Sequence, residues 1–178
     1  SIVNINGWLD DIGQYFLYHT DSLWGVYNVD TYDWEQQAGS DWGTSDPAAV
    51  SLAKNFEITQ NYVRDVLGWN SFNNSGIFAQ ANVHEGTNYV NAYWDGTDFH
   101  FGDGDGVTAN PLTVLDIAAH EYGHAITDYT SNLVYSYESG ALNESFSDIL
   151  GALVEFWAQP DGRSSYPSGT DGYSDWLC

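Results

Sequence analysis

Between positions 46 and 68 apolar residues recur at Ala49, Leu52, Ala53, Phe56, Val63, Val66 and Leu67. That spacing is helical and predicts one buried stripe. Asp46 suits the N-cap, Pro47 the first helical position and Gly68 the stop. Residues 1–45 instead mix aromatics with turn formers, as in Tyr15-Phe16-Leu17-Tyr18-His19, which predicts short strands and loops. Strand character returns over 71–106. There, 88–94 and 97–101 flank Asp95-Gly96, a two-residue hairpin signal. Two more helices are expected over 110–158, the first opened by Asn110-Pro111 and the second running from about Gly140 to Trp157. Residues 159–178, rich in Gly, Ser, Pro and Asp, read as a loop tail. The expected architecture is α+β, a single domain over 1–178 with a β-rich start and hairpin region followed by long helices.

Composition sharpens this picture. With 43% hydrophobic and 16% aromatic residues, the chain is rich enough in apolar side chains to form a core, which argues against disorder. Against 25 acidic residues stand only Lys54, Arg64 and Arg163, for a net charge of −22. Such a charge repels nucleic acid and anionic membranes, so neither is expected as a partner. No apolar run approaches the ~20 residues of a membrane span. The first residues lack the pattern of a signal peptide and the chain has no Met, which suits a processed mature chain. The charge favours cations such as calcium, although a solvated acidic surface accounts for most of the acids. Cys178, the sole cysteine, reads as a free thiol, a link to another chain or a cut end.

The candidate chemistry centres on Asp116-Ile117-Ala118-Ala119-His120-Glu121-Tyr122-Gly123-His124. In a helix, His120 and His124 share a face and can hold one metal ion together. Glu121, one step round, can reach a water there without being a ligand. Two imidazoles leave a zinc ion needing another protein ligand, and Glu144 on the following helix is the candidate. If the helices pack antiparallel, one register sets Glu144 and Asp148 against His120 and His124. The same register brings Glu155 back towards Asp116, and Gly151 allows a close backbone approach. The Gly102-Asp103-Gly104-Asp105-Gly106 stretch lacks the spaced oxygens of a cation loop and reads as a tight turn. His84 and His100 lack helical pairing and read as structural or surface histidines.

Residues 116–124, followed by Asn143-Glu144 and Ser147-Asp148, resemble the thermolysin-like family of secreted zinc endopeptidases (gluzincins). The likeness includes Asn91-Ala92-Tyr93-Trp94, the Gly102–Gly106 run, Thr127-Asp128-Tyr129-Thr130 and Tyr135, and is specific from about 88 to 161. It implies zinc at His120, His124 and Glu144, with Glu121 as general base and Tyr135 as donor to the developing oxyanion. It implies that Asp148 and Asn143 orient the ligands and that Asn91-Ala92 lies on an edge strand that pairs with an extended peptide. Leu112, Ile117 and Leu133 are expected to border an apolar substrate pocket. Asp116, Glu155 and Asp161 match the family's calcium positions.

The family continues into a helical second domain. No further helical, apolar region follows Trp157, so that domain is expected to be absent, with a second polypeptide segment completing the cleft. Three readings stay open: a secreted zinc endopeptidase acting on peptide or protein substrates, a zinc- and calcium-holding peptide binder with little catalysis, and a structural fragment stabilised by calcium.

Overall fold

The computed structural model describes residues 8–9, 15–19, 23–37 and 46–159. Short strands dominate its first part. β1 (Trp8–Leu9), β2 (Tyr15–Phe16) and β6 (Gln36–Gln37) form a small antiparallel sheet in the order β1-β2-β6. A second sheet has the order β3 (Tyr18–His19), β4 (Trp24–Asn28), β7 (Ala79–Val83), β9 (Phe99–Phe101), β8 (Ala92–Trp94), and β5 (Asp33–Trp34) also pairs with β4. Its centre, β4-β7-β9, is parallel, while β8 runs antiparallel to β9. The centre is buried because its side chains are apolar: Trp24, Val26, Ala79, Ala81, Val83, Phe99 and Phe101 all belong to the core.

Three helices, α1 (Pro47–Asp65), α2 (Leu115–Tyr129) and α3 (Tyr137–Ala158), complete the α+β arrangement. Phe56 of α1 and Tyr122 of α2 meet Phe99 of the sheet, the Phe99 and Tyr122 rings stacking with centroids 5.6 Å apart. Aromatic packing of this kind adds to plain area burial and fixes the helices over the strands. α1 starts as its sequence predicts, with the Asp46 side chain accepting from the Ala49 N–H at 3.0 Å. It ends earlier than the apolar pattern suggests, and Val66 and Leu67 are exposed rather than part of the stripe.

Other boundaries also move. The hairpin connection is not a two-residue Asp95-Gly96 turn. The Asp95 carboxylate accepts from the N–H groups of Thr97 and Asp98 at 2.7 and 2.8 Å, and the Asp95 N–H donates to Asp98, giving a wider turn between β8 and β9. α2 begins at Leu115 rather than at Asn110. The Leu112 N–H donates to the Gly102 carbonyl, and Asn55 of α1 donates to the Thr113 carbonyl at 2.6 Å, so these residues are tied elsewhere before the helix can start. α3 begins at Tyr137, ahead of the apolar pattern that marks it in the sequence.

α2 and α3 pack antiparallel. Small residues set their spacing: a Cβ on Gly123 would lie 2.8 Å from Ser147 Cα, and one on Gly151 would lie 2.9 Å from the Asp116 carbonyl oxygen. β8, at the end of the sheet order, lies beside the face of α2 that carries His120 and Glu121.

Candidate metal centre

The register of α2 on α3 brings His120, His124 and Glu144 together, with one potential ligand atom from each lying within 4.8 Å of the others. Glu144 Oε2 is 3.2 Å from His120 Nε2, and Oε1 is 3.7 Å from His124 Nε2. The outer ring nitrogens have partners of their own. His120 Nδ1 lies 2.9 Å from Asp148 Oδ1, and His124 Nδ1 lies 2.7 Å from Asn143 Oδ1. Both partners are oxygen acceptors, so each Nδ1–H donates and each Nε2 keeps its lone pair. The two Nε2 atoms are 3.0 Å apart. Two lone pairs and a carboxylate directed at one point suit a cation, and this mixture of imidazole and carboxylate donors suits zinc.

Glu121 is only 6% exposed and lines the same cleft. Burial pushes its carboxyl above the ordinary range, Glu144 adds to the rise, and attraction to His120 and His124 and a hydrogen bond from the Trp94 N–H oppose it without cancelling it. Trp94 also donates its indole N–H to Asp128 at 2.6 Å, which ties β8 to the far end of α2. The cleft has a volume of about 480 Å³. Asn91, Ala92, Leu112 and Ile117 line it, as do Asp116, Asp148 and Glu155.

One expected pocket residue and the expected oxyanion donor are not among the residues lining the cleft. Leu133 is not among the cleft-lining residues, and its carbonyl instead accepts from Asn143 at 3.5 Å. Tyr135 is 66% exposed; its hydroxyl donates to Glu144 Oε1, and its ring centroid lies 5.9 Å from that of His124. Asp161, Arg163 and Cys178 lie outside the described residues. Sequence reasoning missed Val90 and Ala152 as cleft residues, since neither carries chemistry that a pattern could flag. It also passed over Gly123 as a spacer in the motif, although its close fit to Ser147 sets the distance between the ligand-bearing helices.

A family model described as the thermolysin metallopeptidase catalytic domain matches residues 9–128. The chain belongs to the thermolysin metallopeptidase family. The match reaches well upstream of residue 88, where the resemblance first becomes specific in the sequence. A second model, the alpha-helical domain of the thermolysin metallopeptidases, matches residues 131–176. This corrects the expectation that the helical domain is absent: α3, which carries Glu144, falls within that match.

Relatives agree. The transglutaminase-activating metalloprotease of Streptomyces mobaraensis is 45% identical over 124 residues, covering 66% of this chain and 16% of that protein. Bacillolysin of Bacillus caldolyticus is 37% identical over 174 residues, covering 90% of this chain and 32% of the relative. The chain thus spans a minor part of the length of these relatives. Among solved structures, the precursor of protealysin, a metalloproteinase from Serratia proteamaculans, superposes with a TM-score of 0.70 at 28% identity, covering 77% of this chain and 44% of that one. No helix among the described residues is long and apolar enough to cross a membrane.

Proposed function

We propose that this chain is the zinc-holding, catalytic part of a secreted endopeptidase that hydrolyses peptide bonds in peptide or protein substrates, and that residues 1–178 work as one unit in doing so. The observation that carries this reading is a buried carboxylate, Glu121, beside the His120–His124–Glu144 cluster and facing a cleft bordered by the edge strand β8.

His120, His124 and Glu144 would hold zinc. When bound there, zinc supplies Lewis-acid polarisation of a carbonyl and makes water a better nucleophile at neutral pH. Glu121 takes a proton from the attacking water and delivers it to the leaving amine, a task helped by a carboxyl whose affinity for protons burial has raised. Asp148 and Asn143 keep the Nδ1–H tautomers and so keep both Nε2 lone pairs directed at the ion. The backbone of Asn91-Ala92 pairs with an extended substrate, with Leu112 and Ile117 as the apolar wall beside it. Tyr135 donates to the developing oxyanion.

Asp116 and Glu155, with Asp161, take calcium in this reading. Support comes from Asp116 and Glu155 lining one cleft, where a cation would offset the repulsion between carboxylates. A further polypeptide segment completes the substrate cleft. α3 supports this by exposing Leu142, Phe146, Ile149 and Leu153 along one face, an apolar stripe larger than scattered surface residues produce.

The test combines zinc analysis with a peptide-cleavage assay. Stoichiometric zinc and cleavage abolished by Glu121→Gln, with zinc retained, are the expected results. Zinc retained by a wild-type protein that binds peptides without cutting them would favour the binding reading instead.

A further inference from the structure

Among the charged clusters that the metal centre leaves unused is one centred on His84. His84, just after β7, has φ +64°, a left-handed backbone that a non-glycine residue keeps only where its surroundings hold it. Its Nε2 lies 2.6 Å from Asp46 Oδ2, and its Nδ1 lies 2.9 Å from both Asp103 oxygens. An ionised carboxylate only accepts hydrogen bonds, so both ring nitrogens must donate, and the ring that satisfies both partners is the imidazolium. The acidic groups that face it are Asp46 at the start of α1, Asp103 after β9, and Glu35 between β5 and β6.

Asp103 has a particular place. Its neighbour Gly102 donates its N–H to the Asn91 carbonyl at 3.0 Å, and its other neighbour, Gly104, donates to the Tyr89 carbonyl at 3.1 Å. A Cβ on Gly102 would lie 2.1 Å from the Tyr89 oxygen, so the two segments touch backbone to backbone. The Gly102 carbonyl in turn accepts from Leu112 at 2.9 Å. Asn91 and Leu112 both line the cleft. Through Asp103, His84 is therefore two contacts from the cleft wall, although its ring is not among the cleft-lining groups.

We propose that His84, as an imidazolium bridging Asp46 and Asp103, is a positioning residue that holds the 102–104 turn, and through it Asn91 and Leu112, in register with the substrate. This rests on the endopeptidase reading, since the position of Asn91-Ala92 bears on catalysis only if a peptide pairs there. The hydrogen bond to Asp46 is the main support for the charged ring. Burial opposes it, Asp103 reinforces it, and the imidazole pKa is raised to about 9. In a chain with only three Lys and Arg residues, a histidine supplies a cation that few other side chains can.

The experiment uses the full chain and His84→Gln, whose amide cannot donate to two carboxylates on opposite sides. In the wild type, ring NMR should show both His84 nitrogens protonated at pH 7.5 and titrating near pH 9. The variant should keep its zinc, show at least tenfold faster amide exchange at Gly102 and Gly104, and raise KM several-fold with kcat nearly unchanged. Wild-type KM should rise above pH 9, and that limb should vanish in the variant. A ring that titrates as a free imidazole, or exchange at Gly102 and Gly104 unchanged in His84→Gln, would overturn the proposal. Should His84→Gln not fold, Asp103→Asn keeps an acceptor oxygen but removes its charge, and the limb should move to lower pH; an unmoved limb refutes the role. Absent cleavage by the wild type counts against the endopeptidase reading, while ring titration and exchange still decide whether the clamp exists.

Discussion

Ser147 leaves no room for a side chain at Gly123: a Cβ there would lie 2.8 Å from the Ser147 Cα and 2.9 Å from its hydroxyl oxygen. Gly123 immediately precedes His124, and Ser147 lies between Glu144 and Asp148 on α3, so this contact sets how far His120 and His124 on α2 stand from Glu144. Gly123→Ala should force the helices apart. Overpacking of this kind costs about 1–3 kcal/mol, and the altered spacing should also weaken zinc binding. Thermal melts and chelator competition measure the two effects. A variant with wild-type melting and wild-type zinc affinity would show that the helices can part without consequence.

Asp148→Ala removes the acceptor that holds the His120 ring through Nδ1 at 2.9 Å. Without it the imidazole can rotate or adopt the other tautomer, which places a proton on the nitrogen that faces the ion. Losses of about 10–100-fold in metal affinity are usual for such partners. Chelator competition should show a loss in that range, with cleavage restored in part by excess zinc. Undiminished affinity would mean that packing alone orients His120.

The register of α2 on α3 was legible because the helical period is fixed. Once His120 and His124 define a face, Asp148, Gly151 and Glu155 fall into line by counting turns. What the sequence hid depends on contacts between distant segments. α2 starts late because Asn55, 58 residues before Thr113, holds the Thr113 carbonyl. The hairpin turn differs because the Asp95 side chain competes for backbone N–H groups. His84 gave no signal, since its partners lie 38 and 19 residues away. The helical domain escapes notice in the sequence because no apolar, helical stretch follows Trp157, whereas the segment that matches it begins at 131 and includes α3.

Stability should fall at alkaline pH, independently of the metal. His84 has its pKa raised from 6.5 to about 9 in the folded chain. The folded state therefore holds that proton more tightly than the unfolded state. Its contribution is fully present below about pH 6.5, the ordinary imidazole value, and is lost as pH rises through about 9. Asp46 acts at the other end. Burial raises its carboxyl, but hydrogen bonds from His84 and the Ala49 N–H outweigh burial and lower it, so its contribution disappears as pH falls through its folded value. Urea midpoints from pH 6 to 10 should decline in the wild type and stay flatter in His84→Gln. Equal slopes for the two proteins would assign the alkaline loss to other groups.

Asp46→Ala removes a helix cap and an ion-pair partner with one substitution. Loss of the cap to the Ala49 N–H costs about 0.5–2 kcal/mol by itself, and His84 would in addition lose its contact at 2.6 Å. The variant should be destabilised by more at pH 7 than at pH 10, where His84 is neutral in the wild type as well. Denaturant melts at the two pH values test this. A loss that is the same at both would confine Asp46 to capping.

Tyr135 separates two ways of assisting the reaction. Its hydroxyl donates to Glu144 Oε1, yet the residue is 66% exposed. A hydrogen bond open to water holds a carboxylate only weakly, because water replaces the donor at little cost. On the proposed reading, its greater value is then as a donor to an oxyanion, which exists only in the transition state. Tyr135→Phe should accordingly leave zinc affinity within tenfold of the wild type and KM nearly unchanged. Turnover should fall by about 10²–10³, the usual effect of removing one oxyanion donor. Steady-state kinetics and chelator competition on the same preparation give both quantities. If zinc affinity instead falls with turnover, and excess zinc restores the rate, the hydroxyl works by orienting Glu144, and oxyanion stabilisation must come from another donor.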